Sequence, residues 1–432
     1  MAVTAQAVAT IGLTLTAVIN IPEAMRSSGR ATWISYLLAL LLVLLVGETL
    51  VLFRRLPGQP SGIAGYVEAG LGFRPGAVAS WGLLLGYGAA MLACLAFLGF
   101  YLEGLLGHLG LHVPQMVGYL LGAVACLELA RRDVQLSTRT MLITESISVL
   151  IVVALSVLVL LHGWGTPDLR ALDPRGDTPA QVGGGLMVAV LSFIGFESAA
   201  NLGSEAVQPE RSVPRGIRIS LLFAGLLFVF WAVFLPEGIS WLPAAQQQGL
   251  DPVSALADRL GNPGAGLWIK AGGLLCLFGS SLGSLTALSR VGFSLAQDRL
   301  LPRRLGRLHP RYGTPDRALL AAALPLIAVG ALTLHKGLTP SEIFSLFGGF
   351  AVLGFLLVYG MVALASLRVV LPGSSSRRRL LVGGTCLLAV IGIAVANLAS
   401  IVGHQNGMLL SFVLLLLIGV LRACTLRPTG LR

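Results

Sequence analysis

One glutamate stands where a charged side chain is expensive. Residues 192–201 read SFIGFESAAN, and Glu197 follows the apolar run from Thr178 to Phe196 without a break. An acid in such a place either takes up and releases a proton beside a moving element or braces it as a neutral hydrogen-bonding strut, and the residues alone leave both readings open. A second polar interruption lies near the N-terminus, where LTAVINIPEAM sets Asn20 and Pro22 among apolar residues. Proline removes one helical hydrogen bond, so a break is expected there, with Asn20 either offering its amide to a ligand or capping the broken helix. A third set, Ser280, Ser281 and Ser284, supplies hydroxyls that suit a sodium ion or ordinary packing between helices.

Other chemistry finds less support. His108 and His112 have the i, i+4 spacing of a metal pair, but they fall in a short outer loop with no third ligand nearby, so no metal is expected. The five cysteines (Cys94, Cys126, Cys276, Cys386 and Cys424) form no CxxC pair and read as buried thiols. Neither a nucleophile–base pair nor a phosphate-cradling glycine loop occurs. The expectation is therefore a protein that is not an enzyme and needs no cofactor.

The elements that must hold these residues follow from composition. Of 432 residues, 55% are hydrophobic and 11% charged, against about 25% charged in a soluble domain. Twelve uncharged runs, from Ala2–Pro22 to Gln405–Leu421, approach or reach the roughly 20 apolar residues that cross a bilayer as a helix. An all-α membrane protein of twelve transmembrane helices follows, because a helix satisfies its own backbone in lipid. The pI near 10.1 does not point to nucleic acid. With the N-terminus inside, all but seven of the 30 basic residues (Arg26, Arg30, Arg170, Arg175, Arg259, Lys270 and Lys336) fall at cytoplasmic ends, which is the positive-inside bias and places both termini in the cytoplasm. The interrupted runs are the first and the sixth. If segments one to five repeat as six to ten, the two breaks hold equivalent positions, as in inverted-repeat transporters.

Three stretches resemble one family. SFIGFESAANLGSEAVQPERSVPRGI (192–217) is similar to the sixth-helix signature of the amino acid–polyamine–organocation superfamily, matched at Phe193, Gly195, Phe196, Glu197, Glu205, Pro209, Glu210, Arg211 and Pro214. GSLTALSRVGFSLAQDRLLPRRLGRLHPRYGTP (283–315) looks like the eighth helix and its following loop, with Arg299 in place of a glycine. GETLVLFRRLPGQPSGIAGYVEAGLG (47–72) resembles the second helix, with Glu48, Pro57, Gly62 and Tyr66 in register.

The resemblance implies the leucine-transporter fold in a single domain, residues 1–432. A first inverted repeat would cover 1–162, a second 178–370, and two additional helices 377–424. It implies a permease that carries amino acids or related amines across the inner (plasma) membrane by alternating access. The substrate would lie between the broken helices, on Thr16, Ala17, Val18, Ile19, Asn20, Leu191, Phe193, Ile194, Gly195, Phe196, Ser198 and Leu285. Its carboxylate would rest on amides of the first helix and its amine on carbonyls of the sixth, where opposite helix dipole ends suit a zwitterion. Phe193 and Phe196 are the expected covers of the ligand, with Phe193 favoured as the gate. The family's first-helix glycine motif is missing here, since Leu15, Thr16, Ala17, Val18 and Ile19 occupy it, so a decarboxylated amine stays open as a substrate. Members that carry long cations place a tryptophan at positions matched by Leu191 and Leu285. Their loss removes cation–π contacts of about 0.5–2 kcal/mol each and favours a small neutral or aliphatic substrate. Coupling is expected through a proton at Glu197 or by exchange, with sodium at Ser280, Ser281 and Ser284 as the alternative. Ser148, with Glu145 one turn before it, matches the place where some relatives carry a lysine. A substrate-sensing receptor on the same fold and a channel are the rival classes.

Overall fold

A computed structural model describes residues 11–53, 62–132, 137–163, 178–197, 209–261, 263–369, 376–401 and 406–425. Among them every regular element is a helix. The α-helices are α1 (Leu13–Leu15), α2 (Ile21–Ser28), α3 (Thr32–Leu52), α4 (Gly62–Leu71), α5 (Phe73–His108), α6 (Gln115–Arg131), α7 (Ser137–Gly163) and α8 (Pro179–Phe193). They continue as α9 (Pro209–Ser240), α10 (Ala244–Gln247), α11 (Pro252–Arg259), α12 (Pro263–Gln297), α13 (Asp316–His335), α14 (Pro340–Arg368), α15 (Ser376–Ile401) and α16 (Asn406–Thr425). Eight stretches of the described residues are long and apolar enough to cross a membrane, the first being Leu13–Leu52. Val149–Leu161 and Pro179–Phe193 are shorter apolar helices. The all-helical, multi-pass expectation is met.

Local sequence explains where several helices begin. Thr178 and Thr339 each cap a helix that starts with proline, and Gln181 and Glu342 return the bond to the cap residue's backbone. These reciprocal caps satisfy amides that the first turn leaves unpaired. Leu388, Leu410 and Leu421 on α15 and α16 are more than half exposed, as suits faces turned to lipid.

Helix α5 is the central post, packed against α12 and α14. Small residues let it come close: a Cβ on Gly354 of α14 would lie 2.8 Å from the Gly82 carbonyl oxygen, and one on Gly99 would lie 2.7 Å from the Gln115 carbonyl. Lipid tails give apolar side chains no reason to leave them, so such backbone approach supplies much of the packing energy. Gly354→Val is expected to overpack the α5–α14 contact and cost about 1–3 kcal/mol. Thermal unfolding of the purified protein in detergent should show a lower midpoint than wild type.

Candidate functional site

The first interruption differs from its expected position. The chain is left-handed at Gly12 (φ 69°), and the helix then runs through Asn20 and Pro22 without a break. Residues Thr16–Asn20 form a π turn, in which the Ile21 N–H reaches back to the Thr16 carbonyl. The wider turn absorbs one extra residue just before Pro22, which sits in the first turn of α2, where a missing donor costs little. The helix end with open amides therefore follows Gly12. One of those amides, Leu15 N–H, points at the Cys276 thiol of α12 at 3.3 Å.

Inside the π turn, Ala17, Val18 and Ile19 are buried, and Asn20 leads toward α8. Its Nδ2 donates to Ser192 Oγ at 2.8 Å and lies 3.4 Å from Thr16 Oγ1. Ser192 spends its own proton on the Val188 carbonyl at 3.0 Å, so Tyr36, whose hydroxyl is also 3.0 Å away, must donate to it. Ser192 thus joins the first segment, α3 and the last turn of α8. Asn20 Oδ1 is buried and has no hydrogen-bond partner among the described residues.

The second interruption is where the sequence puts it. Helix α8 ends at Phe193, Ile194 turns out of helical geometry, and Gly195 takes φ 115°, which a side chain rarely tolerates. Glu197 closes the turn. Its Oε2 accepts the Gly195 N–H at 2.9 Å, and its Oε1 accepts the Tyr87 hydroxyl of α5 at 2.9 Å. Among the described bonds, its partners are its own broken turn and α5.

The expected ligand covers are packed side chains in this conformation. Phe193 is fully buried with its ring 5.1 Å from Phe228, which also meets Tyr36 and Trp231. Phe196 is fully buried 6.0 Å from the ring of Tyr359 on α14. Leu191 reaches α14, where a Cβ on Gly348 would lie 2.8 Å from its Cδ2, and packs near Ala89 and Ala90 of α5. Leu285 is buried in the main core, and Ile194 is half-buried. Ser198 lies outside the described residues, as do the side chains of Glu145 and Ser148.

Of the three serines on α12, Ser280 stands closest to the first interruption, its Oγ 3.1 Å from where a Gly12 Cβ would be. Ser281 Oγ is buried without a hydrogen-bond partner among the described residues, and Ser284 is partly exposed.

Sequence reasoning missed Tyr36, Tyr87, Tyr359 and Cys276. Tyr87 had a signal, a lone hydroxyl in the middle of the small apolar run LLLGYGAAM. The others are ordinary residues until the fold brings them beside a break.

Comparison with known proteins gives the context for this geometry. The model of the amino acid permease family matches residues 1–422. An uncharacterised transporter of Mycobacterium tuberculosis is 26% identical over 75% of this chain and 70% of its own length. The branched-chain amino acid permease of Bacillus subtilis is 26% identical over 69% of each chain. A human cationic amino acid transporter is 30% identical over 44% of this chain and 29% of its own length.

Gly195 offers a direct test of the second break. Gly195→Ala forces a Cβ into a positive-φ turn and is expected to destabilise the protein by about 1–3 kcal/mol. Thermal unfolding should show the loss, and substrate flux into liposomes should fall with it.

Proposed function

The chain belongs to the amino acid permease family, and on that basis we propose that it is a secondary transporter of a small neutral or aliphatic amino acid. It works by alternating access in a plasma or inner membrane, with both termini cytoplasmic. Twelve helices, five plus five in inverted repeat with two more at the end, would form the single domain. The observation that carries the reading is the join of Asn20 to Ser192, which brings the π turn against the carboxyl end of α8 at 2.8 Å.

The join brings the first segment, at Asn20, against the carboxyl end of α8. Amides after Gly12 form the positive end of the first segment, and the terminal carbonyls of α8 form the negative end of the second. A zwitterion satisfies both. Its carboxylate would take the amide end, reaching the π turn at Thr16 to Asn20, and its ammonium the α8 carbonyls and Asn20 Oδ1. Leu191, Phe193, Ile194, Gly195, Phe196, Ser198 and Leu285 would complete the surroundings. The Phe193 and Phe196 rings then move as covers when α8 rocks. Two leucines where a long cation would need aromatic faces favour a short apolar side chain. The branched-chain permease relative supports that choice.

Glu197 suits proton coupling because it ties the break to a different helix. When α8 moves against α5, the Tyr87–Glu197 bond is made or broken. A neutral acid accepts that bond less strongly than a carboxylate does, so proton binding biases the two arrangements. Sodium at Ser280, Ser281 and Ser284 is the second reading, favoured by the approach of Ser280 to Gly12.

Thermal-shift screening against amino acids and polyamines, then liposome flux of each hit, tests the substrate. Alanine, valine or leucine should stabilise the protein more than arginine or agmatine; tighter binding of the cations overturns the size argument. For coupling, Glu197→Gln keeps the shape and most of the hydrogen bonding. The variant should still bind substrate, while flux loses its dependence on the pH gradient. Flux driven by sodium alone, with pH dependence intact in the variant, would select the second reading.

A further inference from the structure

The connection from α9 to α12 holds a buried acid that the transport site does not use. Asp251 stands at the start of α11, its side chain nine-tenths buried. Its Oδ1 lies 3.4 Å from both the Tyr101 hydroxyl of α5 and the Ser254 N–H. Its Oδ2 has no hydrogen bond among the described residues, and the nearest cation, Lys270 Nζ of α12, is 3.7 Å away. All three approaches are long for a carboxylate, which normally collects several short ones. The preceding backbone is held from another side, because Arg26 at the end of α2 donates to the Gln248 carbonyl at 3.2 Å and to that of Gly249 at 2.7 Å. Arg26 also bonds Glu23 and Ser341 of α14. Residues 248–254 are therefore where α2, α5, α12 and α14 are fastened together at one end of the molecule.

We propose that Asp251 is a second proton-binding site, separate from Glu197, and that protonating it holds the 248–254 segment closed over this end of the transporter. That this end faces outward rests on the topology proposed above.

The sign follows from burial. Burial pushes the Asp251 carboxyl above the ordinary carboxylate range, and Ser254, Lys270 and Tyr101 pull it only partly back. In a lifted segment the same group meets water and returns to about 3.9. The closed form therefore binds the proton more tightly, so lowering the pH favours closure and raising it favours release. The charged or titratable groups facing it are Lys270 on α12 and Tyr101 on α5. Glu23 and Arg26 lie beyond them on α2, and Asp258 and Arg259 are on α11 itself. At the end of α9, Glu237 is engaged with the Trp241 indole.

Val253, on the buried face of α11, serves as the reporter. In full-length protein in liposomes, Val253→Cys is labelled with a membrane-impermeant maleimide across a range of pH. Each rate is divided by that of the exposed Gln246→Cys at the same pH, which removes the intrinsic pH dependence of thiol labelling. The ratio should fall as the medium is acidified, and Asp251→Asn, a neutral isostere, should hold it low and flat. Lys270→Gln, which removes the cation favouring the ionised form, should move the transition to higher pH. Glu197→Gln should leave the reporter's pH dependence in place. A flat ratio in the parent, or an unchanged transition in Asp251→Asn, overturns the proposal. If Gln246→Cys reacts only from the opposite face, the proposed topology falls, and the same ratio read from that face still decides the role of Asp251.

Discussion

A chain crossing hydrocarbon must satisfy its backbone within itself, and each departure from a helix has to be met by a particular side chain. Both interruptions here follow that constraint. At the first, the amide of Leu15 finds the Cys276 thiol and the extra residue is absorbed in a π turn. At the second, the Gly195 amide finds Glu197, whose other oxygen is held by Tyr87. An unpaired amide in an apolar interior would cost several kcal/mol, so these side chains are what allow the backbone to leave helical geometry.

The first segment and the end of α8 are held together by one hydroxyl. Ser192 carries that duty with one hydroxyl: it donates back to α8 and accepts from Asn20 and Tyr36. The join is polar and buried, so it is directional, yet it involves one serine and can be remade at modest cost. The aromatic cluster of Phe193, Phe228, Tyr36 and Trp231 packs beside it and excludes water from the bonds. Around this centre, close glycine contacts bring the backbones of α5 and α14 together.

Charge is treated differently at the ends of the bundle. Glu48 on α3 accepts two bonds from Arg218 of α9 and a longer one, at 3.4 Å, from Arg378 of α15. Three helices meet there through a carboxylate well supplied with donors. Asp251 meets three helical elements with long contacts and one oxygen without a hydrogen bond among the described residues. The first arrangement holds an ionised acid; the second leaves room for a proton.

The helical membrane class was legible in the residues alone, because low charge and repeated apolar runs leave a chain in lipid no other regular structure. So were the break at Gly195 and the place of Glu197 beside it, since an acid inside an apolar run is costly unless the helix opens around it, and a glycine permits that opening. The break near the N-terminus was misplaced from Asn20–Pro22. A proline reads as a helix breaker, and its tolerance after a π turn depends on geometry that spacing cannot reveal. Tyr87, Tyr359, Cys276 and Ser192 acquire their roles only through contacts between distant segments, as does the turning of Leu191 toward α14. A residue's type limits which bonds it can make. Which of them it makes is decided by the helix packed against it, and that is set by the closeness of backbones such as those at Gly82 and Gly354.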